Sequence, residues 1–61
     1  MTQEYLDTLE AVMYAELPDS ELCAYKNEDG FQVWQIAPEI ELIATFYTQE
    51  DAEDYITKQF N

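Results

Sequence analysis

Residues 40–60 constrain the fold more than any other part of the chain. A run of eight, Ile-Glu-Leu-Ile-Ala-Thr-Phe-Tyr, leads directly into Thr-Gln-Glu-Asp-Ala-Glu-Asp-Tyr-Ile-Thr-Lys-Gln-Phe. The first part is rich in β-branched and aromatic residues and predicts a strand over 40–47. Alternation puts Ile40, Leu42, Ala44 and Phe46 on its strongly apolar face, and Glu41, Ile43, Thr45 and Tyr47 on a mixed one. Thr48, with Asp51 three residues on, is a helix start signal close to a capping box. Beyond it, Ala52, Tyr55, Ile56, Gln59 and Phe60 fall on one stripe, and Glu50, Asp51, Glu53, Asp54 and Lys58 on the other side. A strand that feeds an amphipathic helix leaves the rest of the chain to pack around the pair.

Upstream, Leu6, Leu9, Met13 and Leu17 recur at steps of three and four, widened by Tyr5 and Val12, which predicts a helix over 2–17. Thr2 would cap it, Glu4 would sit in its first turn, and Pro18 would stop it. Residues 21–26 alternate weakly, with Leu22 and Ala24 on one face and Cys23 and Tyr25 on the other. Asn27-Glu28-Asp29-Gly30 is a turn in which Gly30 is free to take positive φ. Residues 31–36 predict a strand with Phe31 and Val33 on one face and Trp34 and Ile36 on the other. Pro38 suits the first inner position of a tight turn. The reading is an α+β domain of order α-β-β-β-α spanning 1–61: a three-stranded antiparallel meander packed by two amphipathic helices.

That arrangement has a geometric consequence. Two helices of about 10 Å diameter cover roughly one face of strands about 4.8 Å apart. If both take the Leu42–Phe46 face, the other keeps Cys23, Tyr25, Trp34, Ile36, Ile43 and Tyr47 in an aromatic patch larger than a monomer usually exposes. Either one helix crosses to cover it, or a partner or second copy does.

Composition bears on function mainly through charge. Fourteen Asp and Glu face only Lys26 and Lys58, with no histidine, for a net charge of −12. Such a surface repels nucleic acids and anionic lipids and attracts basic partners. Apolar residues at 48%, with 15% aromatic, argue for a folded domain rather than a disordered acidic tail. The N-terminal residues lack a basic segment and an apolar run, and no stretch approaches the roughly 20 apolar residues of a membrane span. The expected compartment is the cytoplasm, of a cell or of an infected host cell.

The residue types exclude most chemistries. Without histidine there is no Ser-His or Cys-His pair, and no enzyme activity is expected. The one glycine is not followed by a lysine at the spacing of a phosphate-binding loop. Aligning Gly30 with the sixth position of a calcium-binding loop puts Tyr25 first and Ile36 twelfth, where acids belong, so the segment reads as a hairpin turn. The single Cys23 makes neither a zinc site nor an internal disulfide and reads as a small apolar residue. No cofactor or metal is expected. Trp34 is either a core aromatic under a helix or an interface anchor.

The carboxylates carry the most specific expectation. A globule of this length spans roughly 27 Å, so twelve excess charges give about one per 2 Å, against about one per 1.7 Å of duplex DNA. Glu4, Asp7 and Glu10 on one helix, with Glu50, Asp51, Glu53 and Asp54 on the other, would form the partner-binding acidic face. The leading expectation is a small acidic protein-binding module. It would inhibit a basic, nucleic-acid-binding protein by occupying its binding surface as a DNA mimic. By analogy of size and charge, it would be a viral or mobile-element protein. The alternative is a structural or assembly subunit, a homodimer, working through Tyr25, Trp34, Ile43 and Tyr47, with acidity serving solubility only.

Overall fold

The computed structural model describes residues 2–60, with side chains from Glu4 onward. The element order is α1 (Thr2–Asp7), β1 (Glu10–Glu16), β2 (Glu21–Asn27), β3 (Gly30–Ala37), β4 (Glu41–Phe46) and α2 (Gln49–Lys58). The sheet has four strands in the order β1-β2-β3-β4, every neighbouring pair antiparallel. The class is α+β as expected, but the three-stranded meander is corrected to a four-stranded one.

The difference lies in residues 10–16, expected to be helical and found as β1. Helix α1 ends early because Thr8 competes for its backbone. The Thr8 hydroxyl and N–H both donate to the Tyr5 carbonyl, at 2.6 and 3.0 Å, and the Leu9 N–H donates to the Leu6 carbonyl at 3.0 Å. These three-residue steps tighten the last turn and close it. Beyond it, Val12, Met13 and Tyr14 suit a pleated strand, and β2 supplies the partner. The three- and four-residue spacing that suggested one helical stripe is divided between two cores. Leu6 and Leu9 pack with Cys23 and Tyr25, whereas Val12 and Met13 pack with Ala24 and Val33. The expected Thr2 cap lies outside the described side chains.

The two helices lie on opposite faces of the sheet. On one face Leu6 of α1 closes over Cys23 and Tyr25, with Trp34 and Ile36 beside them. On the other, Ala52 and Ile56 of α2 close over Ala15, Ala24 and Val33, flanked by Phe31, Phe46 and Tyr55. Each fully buried Leu, Ile or Val contributes about 1.5–3 kcal/mol relative to exposure. Thr48 caps α2 as expected: its hydroxyl accepts from the Asp51 N–H at 3.1 Å. Gln59 and Phe60, expected on the inner stripe, are exposed instead.

Register explains a further correction. Val33 pairs with Ala44, but Trp34 pairs with Leu42, so Ile43 is an extra residue in β4. Paired residues share a face, and a bulge changes which face follows it. Leu42 therefore leaves the face of Ala44 and Phe46 and joins that of Trp34.

The β2–β3 hairpin turns on Glu28 and Asp29, with the Asp29 N–H donating to Asn27 Oδ1 at 2.9 Å and Gly30 paired to Asn27. Gly30 has φ +150°, and a Cβ there would lie 2.5 Å from the Phe46 carbonyl oxygen. Both the backbone angle and the contact require glycine. Gly30→Ala is expected to destabilise by about 1–3 kcal/mol. That lowers Tm by roughly 4–24 °C for a domain this size. Thermal unfolding followed by circular dichroism checks it, with Asp29→Ala as the control that moves little.

Candidate functional site: the acidic surface and the uncovered corner of the sheet

The acidic residues are almost all in water. Of fourteen, Glu21 and Glu53 are half-buried and the other twelve exposed. Both half-buried ones accept a hydrogen bond, Glu21 from the Tyr14 hydroxyl at 2.6 Å and Glu53 from the Gln49 amide at 2.7 Å.

The structure divides the expected acidic face. Glu50, Asp51, Glu53 and Asp54 come together in little more than one turn of α2. At 1.5 Å rise per residue they span about 6 Å, or roughly one charge per 1.5–2 Å, close to duplex DNA. Glu4 and Asp7 lie on α1, against the other face of the sheet. Glu10 is not helical: it opens β1 and pairs across the ladder with Lys26. Those three residues do not join the α2 group.

A second acidic group was not anticipated from the sequence. In an antiparallel meander the β1–β2 and β3–β4 connections lie at the same end of the sheet. Glu16, Asp19 and Glu21 surround the first connection, and Glu39 and Glu41 flank the second. Five carboxylates thus gather at one end, and neither lysine belongs to these segments. Only the topology reveals the grouping, because the two sets stand about 20 residues apart in sequence.

The expected aromatic face is also divided. Tyr25 is buried beneath α1, and Trp34 is half-buried with the Tyr5 ring 6.4 Å away at a 57° tilt. The Trp34 indole N–H donates to Gln32 Oε1 at 3.0 Å. Here a helix crosses to cover the sheet. Ile43 and Tyr47 stay outside this cover, Tyr47 at 91% exposed. What α1 leaves bare is the β3–β4 corner, where Ile40, Leu42 and Ile43 are 37%, 44% and 36% exposed. Gln35 donates to the Glu39 carbonyl at 3.0 Å and pairs with Glu41, which puts Glu41 on the α2 side of the β4 edge and Leu42, paired with Trp34, on the α1 side.

Elsewhere a cleft of about 600 Å³ opens between Tyr5, Leu9 and the β2–β3 turn. Its lining mixes Lys26 with Glu10, Glu28 and Asp29, so it presents no single charge. Cys23 is buried, and burial pushes its thiol above the ordinary range, away from the thiolate a nucleophile needs. Among the described residues no three His, Cys, Asp or Glu side chains form a metal-holding group. Among them, too, no helix is long and apolar enough to cross a membrane. No protein-family model matches the chain, and no curated protein or solved structure matches it either.

Two tyrosines titrate late. The hydrogen bond to Glu21 pushes Tyr14 up to about 12, and burial, aided by the adjacent Cys23, pushes Tyr25 up to about 12. Both shifts favour the neutral phenol in the folded state. Their contribution is complete below pH 10, the ordinary tyrosine value, and is lost as pH rises toward 12. The raised Cys23 thiol contributes with the same sign from its ordinary value of 9.0, so folding stability is expected to hold to about pH 9 and fall above it. Tyrosinate absorbance of Tyr14→Phe and Tyr25→Phe should each lack one late-titrating group.

The surplus charge also acts on stability. The particle is 30 Å in its longest dimension. Raising ionic strength from about 0.01 to about 0.15 M shortens the screening length from about 30 to about 8 Å. Self-repulsion should then fall and Tm should rise. A flat or falling Tm in a sodium chloride series would show that the carboxylates do not repel appreciably.

Proposed function

We propose that the protein is a small acidic binding module that occupies the basic, nucleic-acid-binding surface of a partner protein in the cytoplasm. It acts by binding and not by catalysis. The observation that carries this reading is the distribution of charge. Twelve carboxylates stand in water against two lysines, and the α2 group matches the charge spacing of a nucleic-acid backbone. The mimicry is local. It rests on one turn of α2 and on the five-carboxylate end of the sheet, in place of one continuous two-helix face.

Helix-dipole stabilisation accounts for Glu50 and Asp51, which lie in the first turn of α2. It does not account for Glu16, Asp19, Glu21, Glu39 and Glu41, which lie on strands and connections. The homodimer alternative loses its centre, because α1 already covers Tyr25 and borders Trp34.

A tagged chain incubated with a cell lysate should retain basic proteins at low salt and release them as salt rises. Duplex DNA of arbitrary sequence should displace them. Replacing Glu50, Asp51, Glu53 and Asp54 with Gln or Asn should weaken retention by about tenfold or more at low salt, since several phosphate-like contacts are lost. Retention that survives high salt and is indifferent to DNA would overturn the reading.

A further inference from the structure

We infer that the β3–β4 corner is the docking surface for a basic segment of the partner that carries an apolar side chain next to lysine or arginine. This rests on the binding-module reading above and adds where, and with what chemistry, the partner is gripped.

Four observations converge on the corner. Strand β4 is an edge strand, paired with β3 and with no other strand. The apolar cluster beneath α1 includes Trp34 and Ile36 of β3 but no residue of β4. The bulge at Ile43 turns Leu42 onto that uncovered face, beside Trp34. Ile40, Leu42 and Ile43 are all at least 36% exposed within four consecutive positions.

The opposite edge differs. On β1, Val12, Met13 and Ala15 are taken up by the core under α2. Tyr14 of β1 is 54% exposed, but its hydroxyl is engaged by Glu21, whereas the exposed large aliphatic side chains, Ile40, Leu42 and Ile43, all lie on the β4 side. An apolar centre with a polar rim is the usual anatomy of a protein interface.

Charge selects the occupant. Glu39 and Glu41 flank Ile40 in sequence, with Glu41 on the far side of the β4 edge from Leu42, and Glu21 stands at the same end of the sheet through its pairing with Ala37, so the acids rim the apolar ledge. A second copy would bring another −12 and the same acids to the contact. A segment with lysine or arginine flanking an apolar side chain would satisfy the acids and fill the ledge at once. Neighbouring charges of this kind steer encounter, while the apolar contact sets residence time.

Two synthetic peptides of equal charge test this, one alternating lysine with leucine and one alternating lysine with serine. Each is titrated into isotopically labelled protein at low salt, and amide shifts are followed by NMR. The lysine–leucine peptide should shift Trp34, Ile36 and residues 39–43, and should bind at least tenfold more tightly than the lysine–serine peptide. Leu42→Ser, at an exposed position, should remove that difference and leave the melting transition in place. Equal affinity of the two peptides, or shifts confined to Glu50, Asp51, Glu53 and Asp54, would overturn the docking surface while the binding-module reading stood. Failure of both peptides to bind would overturn both. Concentration-dependent dimerisation abolished by Leu42→Ser would identify a second copy as the occupant and overturn the basic-segment inference.

Discussion

The structure depends on burying β2 and β3 from both sides with too little helix. Leu22 through Tyr25 are all buried, which requires cover on both faces of β2. The sheet has three interstrand gaps and is roughly 14 Å wide. Helix α2, with ten residues, extends about 15 Å, but α1, with six, extends only about 9 Å. The cover on the α1 side must run out, and it runs out over β4. The exposed corner thus follows from the shortness of α1.

Small residues make the α2 side work. Ala15, Ala24 and Ala52 are buried in the same cluster as Val33 and Ile56. Alanines on both the helix and the sheet let the two backbones approach closely, so Ile56 reaches full burial from a short helix. Among the described residues no charged side chain is buried, so the acidic surplus does not compete with this core. Its electrostatic effect is confined to the surface, where salt modulates it.

Much of this was legible in the sequence, and the gaps have physical causes. The Thr48 cap, the Gly30 turn and strands β2 to β4 follow from local chemistry, and the structure keeps them within a residue or so. Strand β1 was illegible because Leu6, Leu9, Met13 and Leu17 fit a helical period, while Val12, Met13 and Tyr14 fit a strand. Pairing with β2 decided between them. The face of Leu42 was illegible because strict alternation admits no extra residue, and Ile43 is one. The sidedness of the helices lay beyond periodicity altogether: an amphipathic stripe records that a face is buried, not which face of the sheet buries it. The acidic site divides for the same reason: a single face requires both helices on one side of the sheet, and Glu10 lies on a strand.

The five-carboxylate end separates a solubilising role from a binding one. Glu16 and Glu21 are direct partners in the β1–β2 ladder, and like charges placed opposite each other weaken a sheet. The Tyr14 hydroxyl satisfies one oxygen of Glu21 but supplies no positive charge. Solubility would be served as well by acids spaced apart, or by one of the pair replaced with threonine. Glu50 and Asp51 gain from the α2 dipole, so their presence distinguishes nothing. Apart from Glu21, which accepts from the Tyr14 hydroxyl, the acids at the β1–β2 and β3–β4 connections add to local repulsion without the helix-dipole benefit of Glu50 and Asp51. A chain that departs from the locally consistent choice is expected to do so at a working surface. These acids stand at the end of the sheet where β4 begins beyond the cover of α1, so negative charge and uncovered apolar area meet in the same corner. A basic, apolar-tipped partner relieves both.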